Sequence, residues 1–259
     1  MNRGLYTSAI GMMTQMQNMD IVTNNIANVD TTGFKKDMSV VQSFSEEMMK
    51  ILDDPSNQTR LIKRNNNIGT VSLGNFVTEV STDFATGAME KTEGTYDLAI
   101  DGEGFFVIET TEKDGTVKEK YTRDGSFTLN QNNELMTKEG NYVLGENGRI
   151  VIPNGTVSIS ENGNIYSNGE YVDKIKMVDF ENKETLRKYG DNLYNKIDET
   201  IEKPFTGTLL QSHIETSNVN VVNEMVKMIN ISRVYELNQK MVQTHDNTLE
   251  KAVTELARK

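Results

Sequence analysis

An α+β architecture is predicted: long helices at the two chain ends, and an all-β domain between them. Three observations carry this. Residues 3–28 and 220–256 repeat mostly apolar side chains at heptad spacing. Asn-Gly and Asp-Gly pairs cut the middle into short β-rich runs. The charge divides along the same lines. Residues 1–36 and 220–259 each carry a net +1, so the whole-chain −11 leaves −13 on residues 37–219. Nearly neutral helices beside an acidic β body suit helical packing with a solvated exterior.

Taken in order, residues 3–28 lack proline and place Leu5, Met12, Met19 and Ile26 seven apart, with Ala9, Met16 and Thr23 between them. That is a helix offering a narrow stripe to another helix. Asn2 is its expected N-cap. Gly11 inside it costs about 1 kcal/mol relative to Ala, which close backbone packing would explain. The helix should stop within Asn28–Gly33, where turn formers accumulate. Residues 37–79 read as an extended, partly irregular linking segment, with a short helical turn in 45–52, a break at 53–57 and a loop at 65–67.

Residues 80–215 form the expected β domain. Its runs are Phe105–Thr111, Tyr121–Asn130, Tyr142–Leu144, Arg149–Ile152 and Tyr171–Phe180. Tight turns are expected at pairs such as Asp114-Gly115, Asp124-Gly125, Asn147-Gly148, Asn154-Gly155, Asn162-Gly163 and Asn168-Gly169. Residues 216–259 then carry the second helix. Val221, Met228, Tyr235, Val242, Leu249 and Leu256 recur every seventh position, and Met225, Ser232, Gln239, Asp246 and Val253 fill the other seam position. Ile231, Val234 and Met241 give it a further face. A helix with more than one apolar face should touch more than one neighbour. The simplest arrangement pairs the two helices as a coiled-coil-like inner domain, which leaves that further face to be covered.

Composition excludes several classes of function. Apolar residues are 36 % of the 259, below the roughly 45–50 % of ordinary globular chains, so the core is thin, elongated or completed by a neighbour. With 38 acidic and 27 basic residues, nucleic acid is not an expected partner, and an anionic membrane surface is disfavoured. No run approaches the ~18 apolar residues of a membrane span, so membrane insertion is not expected. Cysteine is absent, which removes disulfides, thiolate metal sites and cysteine nucleophiles. His213 and His245 have no metal-site spacing, and His245, beside Asp246, reads as a surface residue. The run Ala9–Met13 after Arg3 is too short and interrupted for a cleaved signal peptide.

Catalytic candidates fail on geometry. Asp101 and Glu103 flank Gly102 in a charged turn before a strand, and Gly102-x-Gly104 lacks the third glycine of a dinucleotide fingerprint. Asp97 to Asp101 lacks calcium-loop spacing. Three Asn-x-Thr/Ser matches, at Asn57, Asn154 and Asn230, carry little weight among 28 asparagines. An enzyme is not expected, and no cofactor or metal is called for.

The run Asn24-Asn25-Ile26-Ala27-Asn28-Val29-Asp30-Thr31-Thr32-Gly33-Phe34-Lys35 resembles the signature of bacterial flagellar rod and hook subunits. Gly4-Leu5-Tyr6-Thr7 through Gly11-Met12 is similar to the start of their N-terminal helix. Leu98–Phe106 and Tyr121–Phe127 are similar to their β core, and Ser217–Val222 through Asn238-Gln239-Lys240 to their C-terminal helix. Four motifs in order make the resemblance specific, and the stretch 37–78 is closest to distal-rod subunits.

The resemblance implies a structural role. Both terminal helices would line the inner layer of an axial filament, and the β domain the outer. Expected partners are copies of the same chain in a helical homopolymer, other rod and hook subunits, and the flagellar type III export apparatus. The expected location is the flagellar basal body in the cell envelope. Residues expected at the assembly interface are Leu5, Met12, Met16 and Met19 on the first helix, then Asn24, Asn25, Ile26, Asn28, Gly33 and Phe34 at its end. On the second helix they are Val221, Met225, Met228, Tyr235, Val242 and Leu249. The asparagine amides can bond exposed backbone or neighbouring subunits, Gly33 permits a turn, and Phe34 can anchor the outgoing chain. Alternative readings are a proximal-rod or hook subunit, or a secreted monomeric binding protein whose helices close on themselves.

Overall fold

The computed structural model describes residues 3–43, 74–111, 115–190, 192–197 and 200–256. The expected cap at Asn2, the features read in 45–67 and Asp114 lie outside the described residues. The chain divides into two compact units. One comprises the described residues of Met1–Ile26, Asp37–Ser81 and Val221–Lys259. The other comprises those of Ala27–Lys36 and Thr82–Asn220.

The first unit holds helix α1, Arg3–Ala27, and helix α2, Val221–Leu256. Strands Asp37–Ser43 and Asn75–Thr82 pair beside them as a two-stranded sheet. The 36 residues of α2 span about 54 Å at 1.5 Å each. Among the described residues no helix is long and apolar enough to cross a membrane. The helices meet where α1 has no side chain. A Cβ on Gly4 would strike the imidazole of His245, and one on Gly11 would lie 2.9 Å from the Asn238 amide nitrogen. The two contacts are one heptad apart on each helix and run in opposite directions. Gly11 is therefore the close-approach glycine its cost suggested. His245 is half-buried, not the surface histidine expected.

The seams are shifted from the expected ones. In α2, Val221, Met228, Tyr235 and Val242 are half-buried as read. Their companions are Glu224, Ile231, Asn238 and His245, while Met225, Leu249 and Val253 are exposed. In α1 the buried positions are Ser8, Thr14, Val22 and Asn25. Leu5, Met12, Met19 and Ile26 are only half-buried, and Met16 is exposed. Small and polar residues take the close line because backbones approach there, so methionines are displaced to its flanks. Thr14 and Asn25 fasten the strands: Thr14 Oγ1 donates to the Asn75 carbonyl at 2.6 Å. The Asn25 amide donates to the Asp37 carbonyl at 2.8 Å and accepts the Asp37 N–H at 2.9 Å.

The second unit is built on a ten-stranded sheet. At its centre Phe105–Thr111 pairs with Val117–Thr122 on one side, and with Tyr142–Gly145 and Met177–Phe180 on the other. Successive side chains of a strand point to opposite faces, and both faces of this strand are covered. Phe106 and Ile108 enter one apolar cluster with Leu98, Phe127 and Ile165. Phe105 and Val107 enter another with Tyr121, Phe180 and Tyr194. Phe106 meets Phe127 edge-on at 5.1 Å, and Tyr121 meets Phe180 at 4.8 Å, the geometry that ring quadrupoles favour. A three-stranded sheet of Val157–Ile159, Asn164–Ser167 and Glu170–Lys174 adds to the first cluster. Two short pairs, Leu98–Asp101 with Thr208–Gln211 and Met89–Lys91 with His213–Glu215, complete the unit.

Three of the expected strands differ. The run 121–130 is two strands, Val117–Thr122 and Phe127–Leu129. Between them Asp124 Oδ1 accepts the Ser126 N–H at 2.9 Å and its hydroxyl at 2.7 Å. Gly125 sits so tightly on the Leu98 carbonyl that no Cβ would fit. The run 171–180 splits into Glu170–Lys174 and Met177–Phe180, which belong to different sheets. The break follows from hydrogen bonding: Ile175 donates to the Gly163 carbonyl, whereas Lys176 donates to Leu144 and accepts from Val107. The run 149–152 is a strand only at Gly148–Arg149, followed by a single bridge at Val151. Among the Asn-Gly pairs, Asn168-Gly169 makes a two-residue hairpin as expected, with φ of 52° and 88°. Asn147-Gly148 and Asn162-Gly163 fall at the turns joining Tyr142–Gly145 to Gly148–Arg149 and Val157–Ile159 to Asn164–Ser167. Asp124-Gly125 instead forms the break just described.

Truncating Phe106 to Ala removes a ring buried between strands and should cost about 3–5 kcal/mol, read from urea unfolding of the full chain. Tyr121 supplies a pH signature. Burial and the nearby Glu202 carboxylate push its phenol up to about 12. The folded chain therefore keeps a proton that the unfolded chain sheds from pH 10 upward. This stability is fully present below pH 10 and is lost as pH rises through about 12. Tyr121→Phe should flatten that alkaline fall relative to the parent chain. An unchanged alkaline slope would assign it to other groups.

Candidate functional site

Residues 27–36 belong to the β unit, and the family-like signature is fastened there. Beyond α1 the chain turns, with Thr31 N–H bonded to the Asn28 carbonyl and its hydroxyl to the Asn28 side chain. Gly33 has φ +65° and donates its N–H to the Glu215 carbonyl at 2.7 Å. A Cβ there would lie 2.5 Å from the Arg123 backbone, so only glycine fits. Thr32 Oγ1 donates to Asp124, and the Thr32 carbonyl accepts from the Asn192 amide at 2.7 Å. Phe34 is buried beneath the Lys188 ammonium, 4.2 Å from its ring centroid.

Next to Phe34 lies a buried cluster of three charges. Lys35 has no exposed surface, and Glu215 and Arg123 have almost none. The Lys35 ammonium pairs with Glu215 Oε1 and donates to the Ala85 carbonyl at 2.8 Å. Arg123 Nη1 reaches Glu215 Oε2 at 3.3 Å, and Nη2 donates to the Gly102 carbonyl at 2.7 Å. The Gly87 N–H completes the shell of Glu215 Oε1 at 2.8 Å. Such burial is tolerable when each charge is paired, as all three are here, while Arg123 Nε is left buried without a hydrogen-bond partner. Burial pushes the Lys35 ammonium below the ordinary lysine value, and Glu215 pulls it back up. The same two influences act on Arg123. Asn218 closes the arrangement. Its Oδ1 accepts the Lys36 N–H at 2.8 Å, and its amide donates to the Asp83 carbonyl at 2.8 Å and to Ala85.

These contacts fasten the segment after α1 to the β unit. Glu215 Oε1 takes the Lys35 ammonium and the Gly87 N–H, and Oε2 takes Arg123, so both carboxylate oxygens are engaged inside the chain. Among the described residues no group of three or more ligand-type side chains could hold a metal.

The expected interface residues fall into two groups. Asn25, Gly33 and Phe34 are engaged inside the chain, Asn25 with Asp37 and the other two in the β unit. Asn28 is half-buried with its side chain on Thr31, and Asn24 is exposed. On the helices, Leu5, Met12, Met19, Ile26, Val221, Met228, Tyr235 and Val242 are half-buried. Met16, Met225 and Leu249 are exposed. Further exposed apolar side chains accompany them: Tyr6 and Met13 on α1, and Val222, Val226, Ile229, Leu237 and Met241 on α2.

Lys35, Arg123, Glu215 and Asn218 had no assigned role in the sequence reading. Lys35, Arg123 and Asn218 all stand inside the motifs quoted for the resemblance. A signal was present: Lys35 and Arg123 are charges set within apolar and turn residues, where a solvated loop would not require them.

Comparison with known proteins gives three matches along the chain. Residues 5–35 match the family described as flagella basal body rod protein. Residues 99–167 match the flagellar hook protein FlgE/F/G D1 domain, and residues 210–255 the flagellar basal body rod FlgEFG protein C-terminal family. The flagellar basal-body rod protein FlgG of Buchnera aphidicola from Schizaphis graminum is 35 % identical over 95 % of this chain and 97 % of its own. FlgF of Caulobacter vibrioides is 36 % identical, covering 96 % and 95 %. FlgG of Bacillus subtilis is 34 % identical, covering 98 % of each.

Replacing Glu215 with Gln leaves two buried cations without their carboxylate. It should cost about 3–5 kcal/mol, seen as a lower urea midpoint. The exposed pair Lys174–Glu146 is the control, where Lys174→Ala should cost no more than about 1 kcal/mol. Equal, small effects would mean that the buried cluster does not hold the fold.

Proposed function

The chain belongs to the flagellar basal-body rod protein family and is a structural subunit of the rod, and we propose that it forms the distal part of that rod. In this reading it polymerises with copies of itself into a helical tube that transmits torque across the cell envelope. The observation that carries it is the apolar surface of the helical unit. Val222, Val226, Ile229, Leu237 and Met241 on α2 are each more than half exposed, on a helix whose half-buried line lies elsewhere. Exposed apolar area concentrated this way marks an interaction surface.

The proposed assembly uses the two faces differently. The line Val221, Met228, Tyr235 and Val242 packs coiled-coil-like toward α1 and the residues around Leu5, Met12 and Met19. The outward face, with Met16, Met225 and Leu249, meets neighbouring subunits. Asn24 and Asn28 stand at the end of α1, where amides can bond a neighbour's backbone. The distal assignment draws on the resemblance of residues 37–78 to distal-rod subunits. Other rod and hook subunits are partners in the basal body, and the flagellar type III apparatus is the proposed export route, without a cleaved signal peptide.

Deleting the gene should leave cells without rod and hook beyond this subunit and without swimming. Complementation with Leu237→Asp should fail, because burying an unpaired charge at each lattice repeat costs several kcal/mol. Circular dichroism of the variant should keep its β signal, since position 237 lies in the helical unit. Val242→Asp should fail as well and also loosen α1 against α2, read as faster proteolysis of the helices. Normal motility with Leu237→Asp would remove the outward face from the assembly.

A further inference from the structure

The β unit carries four complete Asn-Gly pairs whose environments differ in the ways that govern asparagine deamidation. In that reaction the backbone nitrogen of the following residue attacks the asparagine Cγ. The amide must be free to rotate, and the attacking N–H must be accessible to base. Glycine favours the attack because it has no side chain to obstruct it.

Three pairs are restrained. The Asn147 amide donates to the buried Asp173 carboxylate at 2.9 Å. Asn162 is exposed, but the nucleophile beside it is not: Gly163 is buried, and its N–H is bonded to the Ser160 carbonyl at 2.9 Å. Asn168 Oδ1 accepts the Thr156 N–H at 3.1 Å, and its amide leans on the Asn154 carbonyl. Asn154 and Gly155 differ from all of these. Both are exposed, and among the described residues neither the Asn154 side chain nor the Gly155 N–H has a hydrogen-bond partner. They lie in the connection that leads to strand Val157–Ile159, outside any sheet.

We propose that Asn154 is a spontaneous modification site, converting to aspartate and isoaspartate ahead of the other Asn-Gly pairs. Gly155 N loses its proton and bonds to Asn154 Cγ. The Cγ–Nδ2 bond breaks and ammonia leaves, carrying the proton, to give a five-membered succinimide. Water then opens either carbonyl of that ring. In sum, one amide and one water become one carboxylic acid and one ammonia, with no redox change. Each event adds a negative charge to a middle segment that already carries −13. The isoaspartate product also routes the main chain through the former side chain. That displaces Gly155 from the Asn168 side chain against which it packs. A tube built once and retained would accumulate this change with age.

The experiment incubates the purified full-length chain in mildly alkaline buffer, with samples withdrawn for peptide mapping by mass spectrometry. Isoaspartate is counted independently with a protein-isoaspartate methyltransferase and a labelled methyl donor. The expected result is a more acidic isoform whose altered peptide contains Asn154, lost in Asn154→Gln. The urea-unfolded chain should instead modify all four pairs at similar rates. Modification of Asn147, Asn162 or Asn168 first in the folded chain would overturn the proposal. So would an unmodified Asn154 while the unfolded chain reacts.

Discussion

The buried meeting of Lys35, Arg123 and Glu215 is the constraint on which the β unit depends. These residues come from the segment following α1, the middle of the β unit and its last strand. One carboxylate answers two desolvated cations, so none of the three segments can shift without stranding a charge. The effect reaches beyond the charges. Gly33 donates to the backbone of Glu215, and Lys36 and Phe34 bond Asn218. The points where the chain enters and leaves this unit are therefore held side by side by directional bonds. Apolar packing alone would allow them to slide, since dispersion contacts are individually weak and non-directional.

The helical unit follows a different economy. Its closest contacts use Gly4, Gly11, His245 and Asn238, and its buried α1 positions include Ser8, Thr14 and Asn25. Small and polar side chains bring backbones together but bury little apolar area, and stability follows that area at about 25 cal/mol per Å². Larger apolar groups such as Met13, Leu237 and Met241 face outward. Helices of this kind derive most of their stability from tertiary packing. The composition pointed the same way: a chain poor in apolar residues has placed a good part of them on its surface.

Sequence reasoning captured what depends on local periodicity. The span of both helices and the strand Phe105–Thr111 follow from spacing and β-branched or aromatic enrichment, and the structure has them at the expected positions. What spacing could not supply was which of two adjacent heptad lines faces inward. Met225 and Glu224 differ by one position, and hydropathy favours the methionine, yet Glu224 is the one buried. The choice is decided by backbone approach at Gly4 and Gly11, a pairwise property. The splitting of 171–180 was hidden for a similar reason: its alternation continues while its hydrogen-bond partners change sheet. The charged cluster was hidden by separation, since Lys35 and Glu215 are 180 positions apart and nothing local links them.

The two units also divide the mechanical demands on a shaft. A subunit under torque must keep its own shape and must not slip against its neighbours. The β unit meets the first demand internally, with a central strand covered on both faces and a buried, paired ionic fastening at the chain's entry and exit. In the proposed assembly the second demand falls to the helices, where Val226 and Leu237 are exposed. Exchanging the roles would fail physically. A β body with an apolar exterior would offer edges and faces for unspecific pairing. Helices whose apolar faces were satisfied within one chain would leave the lattice only screened surface charges to hold it. In the proposed assembly, charge concentrated on the β body and exposed apolar length on the helices would direct association to the helical surfaces.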